Sequence, residues 1–227
     1  LGEMHNAKHT GALLVDADGT VGALFQHLGL RDGDGKPSAD QATGGVVTFA
    51  LHGSETDRDE IATLLDTGRD AIVMDMPATS LTMLRKIEAD IGWLSMVRDR
   101  GYRLTVVAPI TPYKATLFDL QDAIELVGKE ADFVAVVNLG LAEDRSDFPL
   151  WDESNARKSL KAIGGTEIEF PRLKPRIAAL LDKGDLTFHE GLKSDGLTTA
   201  DKARLHKWLQ DAEKALSSAS TVLGLSK

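Results

Sequence analysis

Two aspartates one residue apart, Asp16 and Asp18, close the apolar run in ALLVDADGT (12–20), and a third, Asp75, closes another in AIVMDMPA (71–78). An asparagine, Asn138, ends a further run, FVAVVNLG (133–140). A carboxylate at the tip of a buried strand, with others close by, suits a hydrated Mg²⁺. That ion takes one or two carboxylates and fills its remaining positions with water and substrate phosphates. A further carboxylate at the same place can orient or activate an attacking water. Taken singly, each aspartate is better explained as a strand end or a helix cap. Three of them from two strands shift the balance toward a site.

These residues need elements to carry them. Strand-like apolar runs recur at ALLVDAD (12–18), GVVTFALHG (45–53), AIVMDMPA (71–78), RLTVVAPI (103–110), FVAVVNLG (133–140) and TEIEFPRL (166–173). Between them the pattern turns helical: VGALFQHLGL (21–30) with Thr20 as its cap, then 55–68 opened by Ser54. One long amphipathic helix is expected from Ser80 to Arg100, another over Tyr113–Lys129 and another over 150–165. A short helix follows over 174–184, and a last one over Leu197–Leu223 with Thr198 or Thr199 as cap. Residues 31–45, rich in Gly and Asp, read as a loop. Regular alternation of helices with continuous apolar strands predicts an α/β fold, a mostly parallel sheet with helices on both faces in three layers. No long linker, repeat or low-complexity tract interrupts residues 1–227, so a single domain is expected. In such sheets chemistry gathers beyond the carboxyl ends of the strands, where Asp16, Asp18, Asp75 and Asn138 all fall.

The composition narrows the function classes. With 227 residues, 42% hydrophobic and 27% charged, the chain is long enough for a well-buried core. No apolar run approaches the ~18 residues of a spanning helix, and no secretory signal opens the chain. The absence of cysteine excludes disulfides, thiolate metal sites and a cysteine nucleophile, and fits a reducing, cytoplasmic setting. A net charge of −9 argues against a surface devoted to nucleic acid. Arg157, Lys158, Lys161, Arg172, Lys174 and Arg176 nevertheless make one stretch locally basic. His5 and His9 lack a third ligand and are expected at the surface. Trp93, Trp151 and Trp208 are expected to pack rather than stack on bases. Leu205, Trp208, Leu209, Ala212 and Leu216 share one side of the last helix, which lacks the basic, bulky pattern of a membrane-binding helix and is expected to dock on the domain.

From about residue 10 to residue 190 the order of these features resembles the ParA/MinD family of P-loop ATPases, the deviant Walker A group. LLVDAD (13–18) is similar to the strand that follows the P-loop helix in that family, and IVMDMPA (72–78) to its Walker B strand. VAVVNLG (134–140) resembles the strand ending in an adenine-binding asparagine, and 167–184 the segment flanking the base. The resemblance implies that Asp16 and Asp75 hold the water shell of Mg²⁺ and that Asp18 positions the hydrolytic water. It further implies that Asn138 contacts adenine, with Pro171, Arg172 and Leu173 beside the base. The activity implied is slow hydrolysis of ATP to ADP by a switch that positions or partitions a cargo such as plasmid DNA. The implied partners are a second copy of the chain in a nucleotide-dependent homodimer and a protein that stimulates hydrolysis. Non-specific DNA contact would fall to the basic stretch, and a membrane is not expected.

The family's phosphate-binding loop, K-G-G-x-G-K-(S/T), is nowhere in these residues. The chain opens on Leu1, and the expectation is that a strand, the P-loop and the start of the next helix precede it. Residues 1–11 would then be the tail of that helix and its turn. A scaffold that has lost the loop and hydrolyses nothing is the alternative. DADGT also matches the nucleophile motif of the haloacid dehalogenase-like phosphatases, in which Asp16 would attack phosphorus and Asp18 act as general acid and base. Lys114 and the acids of GLAEDRSD (140–147) are the candidates for that family's later motifs. That resemblance leaves Asp75 and Asn138 unexplained and ranks second.

Overall fold

Strands of consecutive apolar residues need cover on both faces, the environment of a parallel sheet. A computed structural model describes residues 1–8, 11–19 and 22–226. The chain divides into two compact units, Leu1–Arg103 and Leu104–Lys227. Each contains a parallel three-stranded sheet flanked by helices, so the fold is α/β.

The first unit runs α1 (Gly2–Lys8), β1 (Ala12–Asp16), α2 (Ala23–Leu28), β2 (Val46–Thr48), α3 (Glu55–Thr63), β3 (Ala71–Asp75), α4 (Ser80–Ile91) and α5 (Trp93–Asp99). Its strand order is β2-β1-β3. Alternation along the central strand β1 sends its side chains to opposite cores. Leu13 and Val15 pack with Ile61, Leu64 and Ile87 on one face, while Leu14 packs with Phe25 and Val46 on the other. Chain order and spatial order diverge here. The chain leaves β1 for β2 on one side, then crosses to β3 on the other. The carboxyl ends of β1 and β3 thus lie side by side, in register from Ala12–Ala71 to Asp16–Asp75, the end of a parallel sheet at which ligands bind.

The second unit runs β4 (Leu104–Ile110), α6 (Lys114–Val127), β5 (Ala131–Asn138), α7 (Pro149–Glu153), α8 (Asn155–Ala162), β6 (Thr166–Phe170), α9 (Pro175–Lys183), α10 (Phe188–Lys193) and α11 (Thr199–Ser217). Its order, β4-β5-β6, follows the chain. The central strand β5 is the buried one, through Phe133, Val134, Ala135 and Val137. The last helix docks within this unit, burying Leu205, Ala212 and Leu216. Trp208 donates its indole N–H to the Pro171 carbonyl at 2.9 Å and meets Phe170 edge-on. No helix among the described residues is long and apolar enough to cross a membrane.

Several boundaries differ from the sequence expectation for local reasons. The helix expected over Ser80–Arg100 breaks at Gly92, whose left-handed backbone (φ 64°) ends α4 and begins α5. The one expected over 150–165 breaks at Ser154, whose hydroxyl accepts the Arg157 N–H and starts α8 afresh. The strand expected over 45–53 stops at Thr48, because residues 49–51 pair with the loop after β1 instead. The last helix is shorter than expected, with Thr198 as its cap, and α10 lies between the two last helices expected, where the sequence pattern predicts no element. His5, expected at the surface, is buried. Thr20 and His9 lie outside the described residues.

Candidate functional site

In the first unit two neighbouring strand ends carry the acids. Asp16, last residue of β1, stands opposite Asp75, last residue of β3, and the Ala17 N–H extends the ladder to the Asp75 carbonyl at 2.9 Å. Asp16 is buried, 1% exposed. One of its oxygens accepts the Asp18 N–H at 3.0 Å and the other the Phe25 N–H at 2.9 Å. The second bond does the work of a helix cap from a distance, since Gly22 at the start of α2 offers no side chain. Gly22 is itself required. A Cβ there would fall 1.9 Å from Asp16 Oδ1.

Asp18 is exposed, and the loop that carries it is pinned to the segment after β2. The Gly19 N–H donates to the Phe49 carbonyl and the Leu51 N–H to the Ala17 carbonyl, each at 3.0 Å. Asp75 is exposed at the tip of β3. Its proton affinity lies above the ordinary carboxylate range. Partial burial is the main cause, the charge of Asp16 adds to it, the Met76 N–H opposes it, and Asp18 contributes a smaller repulsion. The three acids therefore share one electrostatic neighbourhood in which added positive charge is favourable.

Beyond Asp75 the chain makes a tight turn through Pro77 and Ala78 into α4. Thr79 adopts φ 65°, a left-handed conformation uncommon for a β-branched residue. Its hydroxyl donates to the Ala78 carbonyl at 2.6 Å, and the His52 Nε2 lies 3.1 Å from the same carbonyl. Neither His52 nor Thr79 stood out in the sequence. A histidine next to Gly53 in a loop and a threonine before a helix carry no signal of their pairing.

The residues expected to hold the base lie in the second unit. Asn138, at the end of β5, accepts the Gly140 N–H on its side-chain oxygen at 2.9 Å, which leaves the amide nitrogen as a donor. It pairs in register with Phe170 at the end of β6, so Pro171, Arg172 and Leu173 follow at the same sheet edge. Arg172 donates to the Ala142 carbonyl at 3.0 Å, tying that segment to the loop after β5, while Leu173 packs into the core around Ile177.

The basic stretch is largely committed to internal partners. Arg157 holds Glu167 at 2.7 Å and Asp152 at 2.8 Å, and Arg176 pairs with the buried Asp201 at 3.2 Å. Of the six cations, Lys158, Lys161 and Lys174 are exposed and make no ion pair or side-chain hydrogen bond among the described residues. The acids of 140–147 are likewise occupied. Asp144 accepts from Ser146, whose hydrogen bonds lower its proton affinity, and Asp147 accepts the Glu143 and Asp144 N–H groups. Lys114 is the first residue of α6, in the second unit.

Among the described residues no group of three or more His, Cys, Asp or Glu side chains is arranged to hold a metal ion. Magnesium asks for less, and two exposed carboxylates fit it when water completes the shell. The chain matches no protein-family model, and no curated protein or solved structure is significantly similar to it.

Proposed function

We propose that the protein is a Mg²⁺-dependent nucleotide-binding switch of the ParA/MinD type that binds ATP and hydrolyses it slowly. The observation that carries this reading is the pairing of Asp16 and Asp75 at the adjacent ends of β1 and β3, with Asp16 buried and Asp18 exposed on the loop that follows β1. Asp75 and Asp18 are the groups free to face a hydrated cation. Asp16 orients the loop that presents Asp18, through its two backbone hydrogen bonds. Magnesium, when bound, neutralises charge on phosphate oxygens. Asp18, two residues past the strand tip, is placed to orient a water. Asn138 supplies an amide donor for a base, with the Pro171–Leu173 segment beside it.

A phosphate-binding loop is not among the 227 residues. Among the described strands, β3 pairs only with β1 and β4 only with β5. Each is a continuous apolar strand with one unpaired parallel edge, and a strand delivering such a loop would complete either ladder. The phosphatase alternative requires an Asp16 oxygen to reach phosphorus, but each oxygen already accepts a backbone N–H group. The homodimer, the stimulating partner and the DNA cargo belong to the same proposal.

The test is fluorescence titration of Mg²⁺ and labelled ATP into the wild type and into Asp75→Ala, Asp18→Ala and Asn138→Ala. Binding should weaken in Asp75→Ala and Asn138→Ala. Asp18→Ala should keep nucleotide but lose hydrolysis. Nucleotide-independent turnover of an aryl phosphate, abolished by Asp16→Asn, would instead establish the phosphatase.

A further inference from the structure

We infer that His52 is a positioning residue, a clasp that fixes the turn presenting Asp75 to the cation; the inference rests on the metal-site reading above. The segment 49–52 lies between the two acid-bearing loops and touches both. On one side its backbone pairs with the loop of Asp18, through Gly19 N–H to the Phe49 carbonyl and Leu51 N–H to the Ala17 carbonyl. On the other, His52 reaches the turn after Asp75. Because the Ala78 carbonyl can only accept, His52 Nε2 must carry the proton and donate to it at 3.1 Å. The Thr79 hydroxyl donates to the same carbonyl, so at 3.4 Å from Nε2 its oxygen is the acceptor of any weaker second contact.

The turn needs such a hold. A threonine at φ 65° sits in a backbone region that L residues with a branched Cβ avoid, and it persists only where surrounding contacts fix it. The two ends of the turn tie it to the site and to the helix. At its start the turn follows directly on Asp75, the last residue of β3, through Met76 and Pro77. At its end the Ser80 N–H donates to the Pro77 carbonyl and the Thr82 N–H to the Thr79 carbonyl. Without His52 the Ala78 carbonyl keeps only the local Thr79 hydroxyl and loses its tie to the rest of the unit, so Thr79 is free to relax toward negative φ and the short link to Asp75 moves with it. The direction of the Asp75 carboxylate then depends on a histidine outside the shell of any ion. Partners of that kind usually change metal affinity by about 10- to 100-fold when removed.

A strained residue also supplies its own control. Glycine adopts φ above zero without cost, so Thr79→Gly should keep the turn formed when the clasp is gone. The experiment uses the full 227-residue chain. Mn²⁺ binding is read by electron paramagnetic resonance, and amide exchange at Ser80 and Thr82 by NMR, in wild type, His52→Ala, His52→Gln and His52→Ala/Thr79→Gly. His52→Ala should bind Mn²⁺ about tenfold more weakly and exchange those amides about tenfold faster. His52→Gln, which keeps an N–H donor, and the double variant should both return toward wild type. Unchanged exchange in His52→Ala overturns the clasp, whatever happens to the metal. Faster exchange with unchanged Mn²⁺ affinity overturns its link to the site. Failure of the wild type to bind Mn²⁺ removes the metal-site reading, while the exchange data still decide whether His52 holds the turn.

Discussion

Asp16 and Asp18 are one residue apart and do opposite work, and substitution should separate them. Asp16→Ala strands the Phe25 N–H in a buried position and frees the loop after β1, at a cost of about 1–3 kcal/mol for the lost hydrogen bonds. Asp18→Ala touches an exposed side chain and should stay within about 0.5 kcal/mol of wild type. Urea unfolding of the two variants checks this, and equal losses would show that Asp16 is not the cap described. Gly22→Ala should also destabilise, by about 1–3 kcal/mol, because its new Cβ overlaps the Asp16 carboxylate. Asp75 adds a pH signature. Its folded proton affinity is raised, so between the ordinary aspartate value near ~4 and the folded value the native state holds more protons than the unfolded chain. Stability contributed by this residue therefore falls as pH rises through that window and stays reduced above it. Without metal, Asp75→Asn should be the more stable protein at pH ~7 and match wild type at pH ~3, as read from urea midpoints. A variant less stable at neutral pH would mean Asp75 already has a favourable partner. The carboxylates themselves were legible in the sequence because apolar runs end on them. The cap role of Asp16 was not, since its partner Phe25 is nine residues on and the link exists only once α2 packs beside β1.

At the scale of elements the strongest polar assembly is the one joining α7, α8 and β6. Arg145 holds Asp152 through two hydrogen bonds and Glu169 through a third, while Arg157 grips Glu167 with both its Nε and Nη2. Burial, the largest single influence, would raise the proton affinity of Glu167, but the Arg157 hydrogen bonds, the Trp151 indole and the charges of Arg157 and Arg145 together outweigh it and hold the carboxyl below its ordinary range. A depressed carboxylate contributes stability above its unfolded pKa and loses it as pH falls through the folded one. Arg157→Ala should thus cost about 1–3 kcal/mol at neutral pH, and the difference from wild type should shrink in acid as Glu167 protonates. A loss independent of pH would point to the Arg157 guanidinium lying over the Trp151 ring rather than to the ion pair. Element types were largely readable from the sequence: the apolar runs at 71–75, 104–110 and 131–138 are strands, and the Ser54 cap opens α3 as expected. Breaks inside helices were not. Gly92 and Ser154 sit in helical periodicity on both sides, and only the positive φ of one and the hydroxyl bond of the other mark the interruption.

For the molecule as a whole, charge decides what the basic stretch can do. A net charge of −9 repels polyanions at long range, and the cations that would oppose it are not equally available. Arg157, Arg172 and Arg176 spend their donors on Glu167, the Ala142 carbonyl and Asp201. Lys158, Lys161 and Lys174 remain, exposed and unpaired among the described residues. Spacing in the sequence could not separate these groups, because it reports where a cation is attached and not what its head touches. Each phosphate neutralised on duplex DNA contributes about −0.9 to the slope of log K against log salt. Three lysines therefore allow a slope of about −3, whereas all six cations would give about −5. Fluorescence anisotropy of a labelled duplex across salt concentrations, with and without Mg²⁺–ATP, distinguishes these cases. We expect weak binding with the shallower slope, lost in Lys158→Glu/Lys161→Glu/Lys174→Glu while the urea midpoint holds. A slope near about −5 would mean that the arginines leave their internal partners to meet DNA, and Arg157→Ala should then lower affinity and slope together. No binding under any of these conditions would take DNA off the list of partners and leave the arginines with the structural work the ion pairs already assign them.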